Sequence, residues 1–369
     1  MKRIRVGIIG ANPERGWAKV AHVPALKALA QQYEITAVST TRRASAEEAA
    51  RQFGAAHAFD RAEALVAHPE VDLVTVSVKT PDHGRAVRAA LDAGKHVFCE
   101  WPLGANTAEA EELSARADAK GVRTAIGLQR RFWPSVLYVR DLVREGAIGR
   151  LRSCNLSYPV PYMGARMPAY GAYASDAANG ATLLSIMGGH FLDIVSFALG
   201  DIRELSAVVT QQFDTMTILE TQEVIPVTSP HQVLVSGTFD GNAVLAAHFE
   251  AGKERGGTDL LIRITGTEGA LELRSEPAEL DPSDLALFGA RGDATALEKY
   301  TVPSQYYGPH GTELRGSSYA LAQVYAALAH DIAEGTSLAP SFRDAVSRHR
   351  LLDVIATASS TGQRQRVAA

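Results

Sequence analysis

Through its first third the chain alternates short apolar runs with longer helical stretches, and no other feature limits the possible fold so strongly. Runs at residues 4–9, 35–39 and 71–78, around Val97, and at 123–128 carry apolar side chains at successive positions. Such runs suit parallel strands buried on both faces. Between them lie stretches with helical spacing: Val20, Val23, Leu26 and Leu29, then 85–93, then 107–120, which Gly121 ends. Regular β–α alternation predicts a doubly wound parallel sheet.

After Gly127 the pattern changes. A helix is predicted at 135–145, capped by Gly146, then an alternating segment at 151–158. Strands dominate 208–273, including 233–239, 243–250 and 260–265, with polar and apolar residues alternating as in an antiparallel sheet. Between them, 183–199 holds Gly188-Gly189-His190, read as the opening of a helix that carries Asp193. Residues 276–307 read as a long loop, and helices return at 318–333 and 342–359. The chain is therefore expected to be α/β. A dinucleotide-binding domain spans 1–128. An α+β domain with a large, mostly antiparallel open sheet spans 129–369, its C-terminal helices free to pack back on the first domain.

Composition removes several classes. The net charge is −4 with no long basic run, which argues against a nucleic-acid surface. The two cysteines, Cys99 and Cys154, cannot form a disulfide framework, so a reducing, cytoplasmic setting is expected. The N-terminus lacks a signal-peptide pattern and no apolar run is read as long enough to span a bilayer, so no membrane partner is expected. No metal ligand set is read.

The first strand leads into Gly10-Ala11-Asn12-Pro13-Glu14-Arg15-Gly16-Trp17 and a helix. Strand, glycine turn and helix let backbone amides approach a pyrophosphate at a helix N-terminus. The spacing is not G-x-G-x-x-G: Asn12 stands where the next glycine falls, and asparagine tolerates positive φ. The second strand ends in Ser39-Thr40-Thr41-Arg42-Arg43, without the acid that binds a ribose 2′-hydroxyl in NAD sites. Arginine binds a 2′-phosphate, so NADP is the preferred cofactor and NAD the second choice. The other reading makes Arg42 and Arg43 solvated loop charges.

The stretch Gly94-Lys95-His96-Val97-Phe98-Cys99-Glu100-Trp101-Pro102 is a glycine turn, a strand and a polar pair stopped by proline. Its carboxyl end falls where open α/β sheets bind ligands, so Glu100 and Trp101 are expected to face a cleft. Together with Gly7-x-x-Gly10, Thr80-Pro81-Asp82-His83, Arg130-Arg131-Phe132-x-Pro134, Gly189-His190-x-x-Asp193 and Pro340-Ser341-Phe342-x-Asp344-Ala345, it resembles the glucose–fructose oxidoreductase, inositol dehydrogenase and rhizopine-catabolism (Gfo/Idh/MocA) family. The resemblance covers nearly the whole chain. It implies an N-terminal Rossmann domain, NAD(P)-linked chemistry on sugars or polyols, and homodimers or homotetramers formed through the C-terminal sheet. Gly16-Trp17, Val78-Lys79-Thr80, Glu100-Trp101-Pro102 and 183–190 look most like the branch of the fungal galactose-regulon repressor.

Candidate cofactor contacts are Gly10, Asn12, Arg15, Gly16, Trp17, Thr41, Arg42, Arg43, Val78, Lys79, Thr80, His83, Glu100, Trp101 and Pro102. The family's lysine position holds Trp101, whose indole N–H donates but is no base. His190 is the remaining proton acceptor, kept neutral by a helix N-terminus, with Asp193 to orient it or to pack against the helix; a helix-capping or core histidine is the competing role. A desolvated Lys79 is a second candidate. Arg130, Tyr158, Tyr162 and His190 are the expected substrate contacts, with simple packing the competing role for the tyrosines. Two functions follow: an oxidoreductase on a carbohydrate-like hydroxyl compound, or a non-catalytic dinucleotide-sensing regulator. A lyase or glycosidase cycle with retained cofactor, and a silent cofactor-binding paralogue, are variants.

Overall fold

The computed structural model describes residues 3–253, 255, 260–275, 284–308 and 314–368. The chain forms two compact units, one of residues 1–129 with 308–347 and one of 130–307 with 348–369.

Among the described residues the first unit holds six parallel strands: β1 (Ile4–Ile9), β2 (Tyr33–Ser39), β3 (His57–Phe59), β4 (Leu73–Val76), β5 (His96–Cys99) and β6 (Thr124–Ile126). Their order is β3-β2-β1-β4-β5-β6. Strand order reverses between β1 and β4, which opens a crevice at their carboxyl ends. Val6, Ile8, Leu73, Val74 and Val76 are wholly buried, as an inner parallel strand requires. Gly7 is dictated by packing, since a Cβ there would lie 2.6 Å from Leu65 Cδ2. Gly10 is dictated twice, by a φ of +90° and by a Cβ position 2.2 Å from the Ser77 carbonyl oxygen.

The helix Gly316–Glu334 belongs to this unit. Its Tyr325 is wholly buried and stacks on Phe98 of β5 at 4.8 Å, while Tyr33 donates to the Tyr325 carbonyl at 2.7 Å. The chain then returns to the sheet edge, where Ile126 N–H donates to the Pro340 carbonyl. Val20, expected on an apolar helix face, is 59% exposed. The reason is a π-helical turn at Ala18–His22, whose wider repeat shifts the helical phase and turns Ala18, Ala21 and His22 inward.

The second unit is built on a mixed sheet, nine-stranded among the described residues. Its order is Glu298–Lys299, Ala286–Arg291, Gly269–Arg274, Leu261–Gly266, Leu151–Pro159, Val244–Glu250, Gln232–Thr238, Glu204–Thr210 and Gln365–Arg366. One neighbouring pair, Leu151–Pro159 with Val244–Glu250, is parallel and the others are antiparallel. Val233 and Val235 point inward while Leu234 between them is exposed, the alternation expected of a sheet with one covered face. A smaller sheet joins Arg166–Met167, Thr215–Ile218 and Val224–Pro226.

Two expectations are corrected here. Residues 286–291 form a strand where a loop is expected, because Leu287 and the residues around it pair along Gly269–Arg274; 276–283 lie outside the described residues. The stretch Ala177–Leu199 is also long and apolar enough to cross a membrane, contrary to the sequence expectation, but most of it is buried in the protein and it carries the buried Asp193.

Candidate functional site

In the first unit, the β1 turn differs from expectation at Asn12. Asparagine is not at positive φ; its side-chain oxygen instead accepts from the amides of Glu14 (2.8 Å) and Arg15 (3.1 Å), bracing the turn from inside. Gly16 takes the left-handed φ, +99°. Arg15 is exposed, and the buried Trp17 indole Nε1 has no partner among the described residues. After β2, Thr41 and Arg42 are exposed, while Arg43 is already engaged by Glu47 (2.7 Å) and the Ala58 carbonyl (2.8 Å).

At the carboxyl end of β4, Val78 is half-buried, Thr80 buried and Lys79 exposed. His83 is buried, with Nδ1 2.7 Å from the Pro102 carbonyl and Nε2 3.1 Å from that of Val78. Burial lowers its pKa, so the ring is neutral and donates through one nitrogen, best to Pro102. It ties the ends of β4 and β5 together rather than offering itself to a ligand. Trp101 and Pro102 are buried. Glu100 keeps some exposure, 15% of its side chain.

Glu100 leads into a chain of polar groups that the sequence did not reveal. Its Oε1 lies 2.9 Å from Nε2 of the wholly buried His22, without the alignment of a full hydrogen bond. Nδ1 of His22 is 2.8 Å from the Tyr325 hydroxyl, itself 2.9 Å from Thr75 Oγ1. Burial pushes the Tyr325 phenol well up, so it stays protonated and can donate. Gly127 leaves room for the carboxylate, since a Cβ there would sit 2.7 Å from Glu100 Oε2.

The second unit brings together the four expected substrate residues. The Arg130 guanidinium carbon lies 4.8 Å from the Trp133 ring centre and 5.1 Å from that of Phe191. Tyr158 packs on Phe191 at 4.5 Å, and the Tyr162 hydroxyl donates to Met187 Sδ at 3.4 Å. His190 precedes Phe191 and is 9% exposed. Burial first, and the nearby Arg130 charge second, lower its imidazole to about 3. The expected helix N-terminus is not the cause: a π-helical turn at Leu184–Gly188 runs into the helix Gly189–Leu199, so His190 lies inside a continuous helical stretch. His190 Nδ1 and Arg130 Nε have no hydrogen-bond partner among the described residues. Asp193, expected to orient His190, is bound instead by Arg131 through two bonds of 2.6 and 2.7 Å, with Arg348 Nε 3.8 Å away. Residues three apart are neighbours on a helix, but the Asp193 carboxylate is taken by the two arginines.

The residues of the first unit fit a dinucleotide. Gly10 leaves no room for a side chain where backbone must approach a ligand, and Trp17 Nε1 is a buried donor awaiting an acceptor. Residues 4–128 match the model of an oxidoreductase family with an NAD-binding Rossmann fold. The chain belongs to this Gfo/Idh/MocA oxidoreductase family. Residues 134–275 match the C-terminal domain of Gal80p, which places the chain in the Gal80-like branch.

Dehydrogenase aclE of Aspergillus oryzae is 36% identical over 225 residues, covering 60% of this chain and 61% of that one. The galactose/lactose metabolism regulatory protein GAL80 of Kluyveromyces lactis is 28% identical over 304 residues, covering 77% and 66%. The chain thus spans less than two thirds of the length of either relative. The levoglucosan dehydrogenase of Pseudarthrobacter phenanthrenivorans is 24% identical over 368 residues, covering 93% of each chain. A solved levoglucosan dehydrogenase bound to NADH and levoglucosan has the same fold, with a TM-score of 0.86 at 22% identity over the full length of both chains.

Proposed function

We propose that the chain is an NAD(P)-dependent oxidoreductase acting on a sugar, cyclitol or related hydroxylated compound. The observation that carries this reading is the pairing of His190, buried and neutral with an unpartnered Nδ1, with Arg130, whose Nε is also unpartnered. Buried polar groups left open beside aromatic side chains are what a hydroxylated ligand satisfies. The nicotinamide supplies the hydride acceptor. Gly10, Gly16 and Trp17 would hold the cofactor's phosphates, and Glu100, fixed by His22, would offer an acceptor oxygen to a ribose hydroxyl.

His190 accepts a hydrogen bond from the hydroxyl being oxidised, and Arg130 favours negative charge on that oxygen. An imidazole held this low is a weak base in the resting protein. As hydride leaves carbon, however, the hydroxyl becomes part of a protonated carbonyl, a far stronger acid than imidazolium, so His190 suffices without a lysine. The exposed Arg42 and the absence of an acid after β2 support a preference for NADP. The exposed outer face of the second unit's sheet, with Val208, Leu234 and Val244, supports a homodimer or homotetramer. Two buried free thiols suit a cytoplasmic setting.

The second reading, a dinucleotide-sensing regulator without turnover, draws support from the buried Trp101 at the lysine position and the Gal80p-type second half. One experiment separates the two. The purified protein is mixed with NADP or NAD and a panel of sugars and polyols, and the reduced-nicotinamide band is followed. Turnover that falls by about 100-fold or more in His190→Ala, with nucleotide affinity kept, supports the enzyme. Tight nucleotide binding with no turnover on a broad panel establishes the regulator instead.

A further inference from the structure

We propose that His57, His68 and Glu70 form a binding site for one divalent transition-metal ion, which clips the edge strand β3 to the turn after the helix Ala62–Val66. One ligand atom from each of the three residues lies within 4.8 Å of the others. His57 Nε2 is already 2.6 Å from Glu70 Oε2, and the two imidazole rings are 4.0 Å apart, centre to centre. Neither the cofactor crevice nor the His190 pocket uses these residues.

The three are carried on backbone that is tied down. His57 opens β3 and pairs with Ala37 of β2. The His68 amide donates to the Leu65 carbonyl, and its own carbonyl accepts from the Val71 amide and from Lys95 Nζ. The Glu70 carbonyl accepts from Thr36 Oγ1 at 2.6 Å. The side chains keep freedom to adjust, with 31% of His57 and 53% of Glu70 exposed. Ligand bonds of about 2.0–2.1 Å need donor atoms roughly 3–3.5 Å apart, so movements of about 1 Å close the set.

Protonation is compatible with this. His68 Nδ1 accepts from the Glu70 amide at a long 3.2 Å, so the neutral ring carries its proton on Nε2 and Nδ1 holds the lone pair a cation would take. The hydrogen bond from His57 holds the Glu70 carboxyl below its usual range, so Glu70 is an anion. Coordination needs the Nε2 lone pair of His57. The proton shared with Glu70 is then released to solvent or held on Nδ1, and binding weakens as pH falls.

Two imidazoles and one carboxylate suit zinc, nickel, copper or cobalt, not magnesium or calcium, and a fourth position is left for water. Because His57 sits on β3 and the other two follow the next helix, the ion would bind the native chain and raise its melting temperature.

The test uses the full chain after chelator treatment. Zinc is titrated against a chromophoric chelator, and cobalt(II) is followed by its visible spectrum. The expected result is one equivalent of zinc with affinity in the micromolar range, lost by about tenfold or more in His57→Ala and in His68→Ala. Zinc should raise the melting temperature of the wild type and not of either variant. Cobalt should give the intense visible bands of a four-coordinate site, unchanged by excess magnesium. Zinc affinity and stoichiometry that are the same in wild type and both variants would overturn the proposal. So would a wild-type cobalt spectrum that remains that of the hydrated ion.

Discussion

Two buried histidines, one in each unit, show how partners rather than burial decide what an imidazole can do. His22 is wholly buried, yet both ring nitrogens face polar groups: Glu100 on one side and the Tyr325 hydroxyl on the other. His190 is nearly as buried, but its Nδ1 has no hydrogen-bond partner among the described residues and it feels the charge of the Arg130 guanidinium. The first ring is fixed in a network and serves to hold a carboxylate. The second keeps one ring nitrogen without a partner among the described residues. For His190, burial and the Arg130 charge disfavour the charged form.

The contrast is sharpest in acid. The His190 imidazole is lowered from 6.5 to about 3, so the unfolded chain binds a proton that the folded chain refuses across that range. Its contribution to stability is complete above pH 6.5 and is lost as pH falls towards 3, with a slope of up to about 1.4 kcal/mol per pH unit. Asp284, pushed up to about 6 by burial, acts in the opposite sense over part of the same range. The measurement is therefore a difference: urea unfolding of wild type and His190→Gln between pH 4 and 7. The wild type should lose more stability on acidification. Equal pH dependence in the two would break the contrast.

Removing the ionic partner of the second unit should rank next. Asp193→Ala leaves the buried end of Arg131 and the neighbouring Arg348 without their carboxylate, and should cost about 3–5 kcal/mol in chemical denaturation. Because Asp193 holds arginines and does not orient His190, any turnover that survives should keep the wild-type pH profile. In the first unit, His22→Leu deprives Glu100 and Tyr325 of their partner and should cost about 2–3 kcal/mol, with weakened dinucleotide binding by calorimetry. If this variant were as stable as wild type, the His22 network would be incidental.

The smallest effect is expected at the crevice edge. Arg42→Ala should weaken NADP binding about tenfold and leave NAD binding nearly unchanged, because a lone exposed arginine contributes little except through the 2′-phosphate. Parallel titrations of the two nucleotides would show this.

Much of the fold was legible because parallel strands buried on both faces are mainly apolar, and β1, β2, β4 and β5 are so apart from Arg5, Glu34, Thr36, Ser39, Thr75 and His96. Gly10 was equally clear, since only glycine tolerates both its φ and the Ser77 carbonyl. Motif order also put Arg130, Tyr158 and Tyr162 together with the helical stretch of His190, and their contacts to Phe191 and Met187 agree with that placement. The roles of Asn12, His83, Lys79 and Asp193 were not legible. Those of Asn12, His83 and Asp193 depend on which group stands opposite: two amides of the same turn, two carbonyls near strand ends, and a pair of arginines.

The sequence by itself determined the alternation of strand and helix, the glycine turn at the first strand and the loss of a lysine at Trp101, because these are properties of local pattern and residue type. Only the tertiary structure decided that Tyr325, 303 residues from His22, completes the chain of polar groups that ends at Glu100. It also decided that His190 is neutral through desolvation and Arg130 rather than through a helix end. Electrostatic character is a sum over neighbours in space, and no pattern along one strand of residues contains that sum.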